Sequence, residues 1–161
     1  FGNGENLVDC AKKDPNSNFT GIEVYPSGIG QCLINANKYD LKNLRLFCND
    51  AVDVFNKQIA NESLDVINIF FPDPWPKKRH HKRRLISEDF IVLIKSKLRQ
   101  NGLVHICTDW ADYGRDINAL FESNKEFKPL ETFPKRLQTK FEKKGLTIGH
   151  SIYEFAFQLV L

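Results

Sequence analysis

Residues 64–75 read LDVINIFFPDPW, and KKRHHKRR at 77–84 follows after a single proline. Leu64, Val66, Ile67, Ile69, Phe70 and Phe71 form an apolar, β-branched and aromatic run of strand length. The run stops at Pro72-Asp73-Pro74-Trp75, where two prolines fix their own φ and disfavour helical backbone in the residues before them. Asp73 is therefore expected as a carboxylate held at the end of a strand, next to a cationic cluster. That juxtaposition suggests chemistry on a nucleic acid.

The same grammar recurs on both sides. Strands are predicted at 19–24, 44–48, 64–71 and 103–108, and helices at 5–13, 27–39, 51–60 and 87–99, with a weaker one at 112–123. In the helix at 87–99, Phe90, Ile91, Ile94 and Leu98 share one face. Strand followed by helix, repeated, predicts an α/β fold with a mostly parallel sheet covered on both sides, its strands buried on both faces. Residues 127–133 and 151–161 read as two late strands around a basic, polar segment at 134–150, which predicts an antiparallel C-terminal edge. With no linker or repeat, a single domain over 1–161 is expected.

The 161 residues include 42% hydrophobic side chains and 13 Phe, enough for a sizeable core, and no apolar stretch approaches a membrane span. Net charge is +3, and without the six Lys and Arg of 77–84 the remainder would be −3. The basic footprint is thus local, and Lys78, Arg79, Lys82, Arg83 and Arg84 are the candidate phosphate contacts. A solvated charge run is the plain alternative. Cys10, Cys32, Cys48 and Cys107 lack metal-ligand spacing, and His80 and His81 sit in a cationic setting, so no metal site is expected.

In an open parallel sheet, ligands bind beyond the carboxyl ends of the strands. Glu23, Asn49-Asp50, Asp73 and Thr108-Asp109 occupy those ends. Gly2 and Gly4 precede the first helix, where a glycine turn lets a ligand approach backbone N–H groups, and Glu23 lies about 20 residues on, where such folds place an acid on a ribose. Asp50 is either a ligand contact or an N-cap for the following helix, or both. Trp75 could stack on a base or a cofactor ring. Several acids around one cleft suit a cationic ligand, and the sulfonium of S-adenosylmethionine is one.

These residues place the chain by resemblance. Phe1-Gly2-x-Gly4, Gly21-Ile22-Glu23-Val24, Asp50-Ala51-Val52, Phe70-Phe71-Pro72-Asp73-Pro74-Trp75-x-Lys77, the block 80–84, Thr108-Asp109-Trp110, and Thr139-Lys140-Phe141-Glu142 with Gly145 occur in order along the chain. Together they resemble the bacterial-type tRNA guanine-N7 methyltransferases, and the Pro-Asp-Pro-Trp segment with its basic continuation is the specific part. The resemblance implies a Rossmann-like doubly wound methyltransferase that uses S-adenosylmethionine, releases S-adenosylhomocysteine and modifies ring nitrogen 7 of a guanosine in the variable loop of tRNA. It implies a cytoplasmic monomer or homodimer. Gly2, Gly4, Glu23, Asn49, Asp50 and Asp73 would bind the donor, with Asp73 also catalytic. Lys77, Asp109, Thr139, Lys140, Phe141 and Glu142 would fall at the substrate. The family pattern also has an acid-bearing strand and an N-terminal segment before the glycine turn, and these are expected to be absent from this chain. Leu137-Gln138 departs from it, where proline is frequent.

Two other classes are weighed beside this one. A dinucleotide-dependent oxidoreductase would use the same glycine turn and leave the basic block unexplained. A non-catalytic nucleic-acid-binding module would leave the row of strand-end acids unexplained.

Overall fold

A computed structural model describes residues 1–160, with nothing said of the Phe141 side chain. That side chain, expected at the substrate, and Leu161, expected to end the last strand, lie outside the described residues. The chain forms two compact units, Phe1–Gln58 with Lys135–Thr139, and Ile59–Pro134 with Lys140–Leu161.

The first unit contains α1 (Glu5–Lys13), β1 (Phe19–Glu23), α2 (Pro26–Lys38), β2 (Leu44–Cys48) and α3 (Ala51–Lys57). Strands β1 and β2 pair in parallel from Phe19↔Leu44 to Glu23↔Cys48. This register brings Glu23 and the Asn49-Asp50 pair out at the same end of neighbouring strands. Helix α1 buries Val8 and Ala11. Helix α2 opens on Pro26, whose missing N–H and fixed φ suit a first helical position. Asn43 Nδ2 lies within 3.0 Å of the carbonyls of Ala11, Asp14 and Ser17, tying the end of α1 to the start of β2. Asn6 Nδ2 donates to the Leu137 carbonyl at 2.9 Å, which fastens the segment 135–139 to α1.

The second unit contains β3 (Leu64–Phe70), a 3-10 helix (Lys78–Arg83), α4 (Glu88–Lys97), β4 (Leu98–Thr108), α5 (Ala111–Glu122), β5 (Phe127–Pro129), α6 (Lys140–Thr147) and β6 (Tyr153–Leu159). Its sheet has the order β3-β4-β6-β5, with β3 and β4 parallel and β6 antiparallel to both β4 and β5. The expected antiparallel C-terminal edge is present. Ile94, Val104, Ile106, Ile117, Tyr113 and Phe121 are essentially inaccessible and form the core. Phe121 and Phe157 stack with ring centroids 4.0 Å apart. No described helix is long and apolar enough to cross a membrane, and among the described residues no disulfide joins the four cysteines.

Four local expectations differ from the structure. Strand β4 begins at Leu98 rather than 103, because the polar Arg99-Gln100-Asn101-Gly102 run, which reads as a turn, is an irregularity within the β3–β4 pairing, with Asn101 at φ 63°. Strand β5 covers only Phe127–Pro129 of the expected 127–133. The polar segment 134–150 contains α6, whose helical pattern is masked by its charge. Burial on both faces holds through residues 104–108 of β4, flanked by strands on both sides, whereas β3, at the end of the sheet order, buries Ile67 and Ile69 and exposes Val66 and Asn68.

Candidate active site

The glycine turn and the first strand-end acid come together through hydrogen bonds. Gly2 N donates to Glu23 Oε2 at 2.7 Å and the Phe1 ammonium to the same oxygen at 3.0 Å, while Oε1 accepts from Val24 N at 2.8 Å and Tyr25 N at 3.1 Å. Burial pushes the Glu23 carboxyl upward, but the donors at Gly2, Phe1 and Tyr25 outweigh it and hold its pKa below the ordinary carboxylate value. Gly4 sits at φ 75°, and a Cβ there would overlap Cys32 of α2. A Cβ at Gly28, on the same helix, would overlap the Gly2 carbonyl. The turn therefore lies directly on α2 through bare backbone. Gly4→Ala is expected to lower the unfolding free energy by about 2 kcal/mol or more, from left-handed backbone and overpacking together. Gly30→Ala, with open space around it in the same helix, should be neutral or stabilise by about 0.5 kcal/mol. Denaturant unfolding of both variants checks the pair, and an equal effect would refute the packing explanation.

Asp50 is an N-cap. Its Oδ1 accepts from Val52 N at 2.8 Å and Asp53 N at 3.3 Å, a cap worth about 1 kcal/mol, and Asn49 Oδ1 accepts from Asp50 N at 2.8 Å. Both contacts use Oδ1, so capping and ligand contact through Oδ2 are compatible.

In the second unit, Phe71 N extends the β3–β4 ladder by donating to the Cys107 carbonyl at 2.8 Å. The loop then turns sharply, with Phe71 at φ 53° and Trp75 at φ 45°. Left-handed backbone at a bulky residue costs about 1–2 kcal/mol, so this short loop carries strain at both ends. Asp73 between them is exposed, with no described hydrogen bond or ion pair. Its carboxylate is open to a ligand.

The basic run forms a 3-10 helix, in which residues three apart lie on one ridge. His80 and Arg83 face Trp75: the His80 ring meets it edge-on at 6.0 Å and the Arg83 guanidinium lies 4.9 Å from its ring centre. Arg79 and Lys82 are exposed, as are Lys77 and Lys78. Arg84 must be withdrawn from the phosphate set. Its side chain is only 3% exposed, and its guanidinium binds Asp112, Asp116 and the Pro74 carbonyl. Burial beside two carboxylates took it out of reach of a solvent-side polyanion. The Arg84 hydrogen bond, foremost, holds the Asp112 carboxyl below its ordinary value, and burial pushes the adjoining Tyr113 hydroxyl up to about 12.

Asp109 follows β4 as Asp73 follows β3, and these strands are parallel neighbours. Asp109 Oδ2 lies 3.1 Å from His150 Nδ1. His150 is delivered there by the end of α6, where its N–H donates to the Gly145 carbonyl and Gly149, at φ 84°, donates to Leu146, a Schellman pattern. Lys140 is exposed at the start of α6, and Glu142 is 6% exposed. Thr139 belongs to the first unit.

A family model described as "Putative methyltransferase" matches residues 1–155. Among curated proteins, the tRNA (guanine-N(7)-)-methyltransferase of Nitrosococcus oceani is 43% identical over 161 residues, covering 98% of this chain and 68% of the relative. That of Buchnera aphidicola is 46% identical over 166 residues, covering 99% and 70%. The chain belongs to the tRNA (guanine-N(7)-)-methyltransferase family. Solved structures agree on the fold: an rRNA methylase from Streptococcus thermophilus superposes with a TM-score of 0.66 at 13% identity, covering 99% of this chain and 82% of that one. A structure described as "a putative methyltransferase from streptococcus mutans in complex with SAH" gives 0.62 at 13% identity, covering 99% and 84%. The fold is the Rossmann-like one of these methyltransferases.

For a tRNA (guanine-N(7)-)-methyltransferase, several supporting residues escaped the sequence reading. Gly28 and Cys32 carry the glycine turn, and only their spacing on one face of α2 hinted at it. Asp112, Tyr113 and Asp116 surround Arg84, and the Asp112/Asp116 spacing of one helical turn was their legible trace. Among the described residues, two clusters have metal-ligand composition. One is His81, Asp112 and Asp116, where the Arg84 guanidinium already supplies the positive charge. The other is His105, Cys107 and Glu154, where His105 Nε2 and Glu154 Oε1 are 2.7 Å apart.

Proposed function

We propose that this chain transfers the methyl group of S-adenosylmethionine to ring nitrogen 7 of a guanosine in the variable loop of tRNA. The products are 7-methylguanosine and S-adenosylhomocysteine. The observation that carries the reading is the exposed Asp73 carboxylate, fixed in a strained Pro-Asp-Pro-Trp loop beside a basic helix, in a chain 43% identical to a curated enzyme of that name. The chain acts as one methyltransferase domain, since the family model runs through both compact units. It works on cytoplasmic tRNA as a monomer or homodimer.

The residues present fit the donor. Gly2 and Gly4 offer bare backbone, Glu23 offers a carboxylate at a strand end, and Asn49-Asp50 stands at the neighbouring strand end. Glu23 is oriented by the backbone N–H groups of Gly2, Val24 and Tyr25, and its carboxylate keeps acceptor capacity for a ribose hydroxyl. Guanine nitrogen 7 has an in-plane lone pair and no proton. It attacks the methyl carbon directly, the carbon–sulfur electron pair leaves with sulfur, and positive charge moves onto the purine. No general base is required. Asp73 stabilises that developing charge and orients the base, Lys77, Asp109, Thr139, Lys140 and Glu142 hold the nucleoside, and Lys78, Arg79, Lys82 and Arg83 hold phosphates. Labelled-methyl transfer to tRNA lacking the modification, followed by nucleoside analysis, tests the reading. Label in 7-methylguanosine is expected, and label in another nucleoside alone would overturn it.

A further inference from the structure

Arg84 is the one member of the basic run that the fold buries. Nε donates to the Pro74 carbonyl at 2.9 Å, one terminal nitrogen to Asp112 Oδ2 at 2.9 Å, and the other to Asp116 Oδ2. The guanidinium lies 4.8 Å from the centre of the Tyr113 ring, and the Tyr113 hydroxyl accepts from Ile86 N at 3.0 Å, which closes the backbone just beyond Arg84. His81 Nε2 lies 3.1 Å from the guanidinium, on the ridge that faces α5.

The bond to Pro74 reaches the peptide plane between Pro74 and Trp75. Holding that plane holds Trp75 in its left-handed conformation, and with it the direction of Asp73 two residues before it. Strained backbone persists only where its surroundings over-determine it, and among the described residues no other hydrogen bond fixes this peptide plane. Asp112 and Asp116 sit on α5, which begins two residues after Asp109. One guanidinium thus ties the loop bearing Asp73 to the helix that follows Asp109. Its planar fork matches these three acceptors at once, and a lysine ammonium, a point charge on a flexible stem, cannot.

We infer that Arg84 is a positioning residue for methyl transfer, which sets Asp73 against Asp109 through the Pro74 carbonyl and α5 and makes no contact with tRNA phosphate. This rests on the proposed roles of Asp73 and Asp109. A clamp and a phosphate contact differ in kinetics. Loss of a clamp lowers kcat, since a misplacement of about 1 Å can cost about 100-fold. Loss of a phosphate contact raises KM and flattens the salt dependence of binding by roughly 0.7–0.9 in log–log slope.

The test measures kcat, KM for tRNA and the salt slope for Arg84→Lys, for Asp112→Asn with Asp116→Asn, and for Arg83→Gln, with folding checked by thermal melting. Arg84→Lys and the double Asn variant should each lose about tenfold or more in kcat, with KM within about twofold and an unchanged slope. The double variant removes negative charge, which on electrostatic grounds alone would favour tRNA. Arg83→Gln should instead raise KM and flatten the slope by roughly 0.7–0.9. A flattened slope in Arg84→Lys, or normal kcat in either clamp variant, overturns the inference. Where Arg84→Lys does not fold, the Asn variants decide it. Asp73→Asn in the same assay separates the two readings: if it keeps full turnover, the role of Asp73 falls, whereas an inactive Asp73→Asn beside a normal Arg84→Lys removes the clamp alone.

Discussion

Asp73→Asn is expected to lower kcat for methyl transfer by about 100-fold or more while leaving tRNA affinity within about twofold. Asparagine keeps the shape of the side chain and removes its charge, so the substitution isolates electrostatics from packing. A full charge about 4 Å from the charge developing on guanine is worth about 4 kcal/mol at an effective dielectric of 20. An exposed loop realises part of that, and about 2.7 kcal/mol corresponds to about 100-fold. Asp73 makes no described contact that its loss would break, so folding should be nearly unchanged. Single-turnover rates with saturating tRNA make the comparison, and turnover within about threefold of the parent would show that the carboxylate is not part of the chemistry.

Replacing Lys78, Arg79, Lys82 and Arg83 together with alanine is expected to weaken tRNA binding by about 100-fold at 0.1 M salt and to reduce the log–log salt slope by about 3. All four are exposed. Each phosphate contact releases counterions on binding, so the slope counts contacts where a single affinity cannot. Affinity for S-adenosylhomocysteine should stay within about twofold, because the proposed donor-binding residues are Gly2, Gly4, Glu23, Asn49, Asp50 and Asp73. Filter binding across a salt series is the measurement, and a parent-like slope would leave the basic helix without a phosphate role.

The strand-end acids were legible because they follow from local rules. Prolines on both sides single out Asp73, and Glu23 and Asn49-Asp50 each end an apolar run of strand length, whereas the parallel register Glu23↔Cys48 that makes them neighbours is set by the pairing of distant segments. The dual reading of Asp50 as cap and ligand contact was also legible, since a capping Asp needs only the two N–H groups that follow it. Helix α6 was hidden by charge, and with it the Schellman turn that carries His150 to Asp109. The early start of β4 was hidden because Asn101-Gly102 carries turn chemistry that the sheet absorbs as a local irregularity.

By itself the sequence determined the alternation of strands and helices, the carboxylates at the strand ends and the family, because periodicity, proline stereochemistry and motif order are properties of neighbouring residues. Only the tertiary structure decided how the residues of 77–84 divide. In a 3-10 helix three residues make a turn, so one ridge faces Trp75, one faces solvent and one faces α5. Composition treats Arg83 and Arg84 alike. Asp112 and Asp116, 28 and 32 positions away, give them different fates.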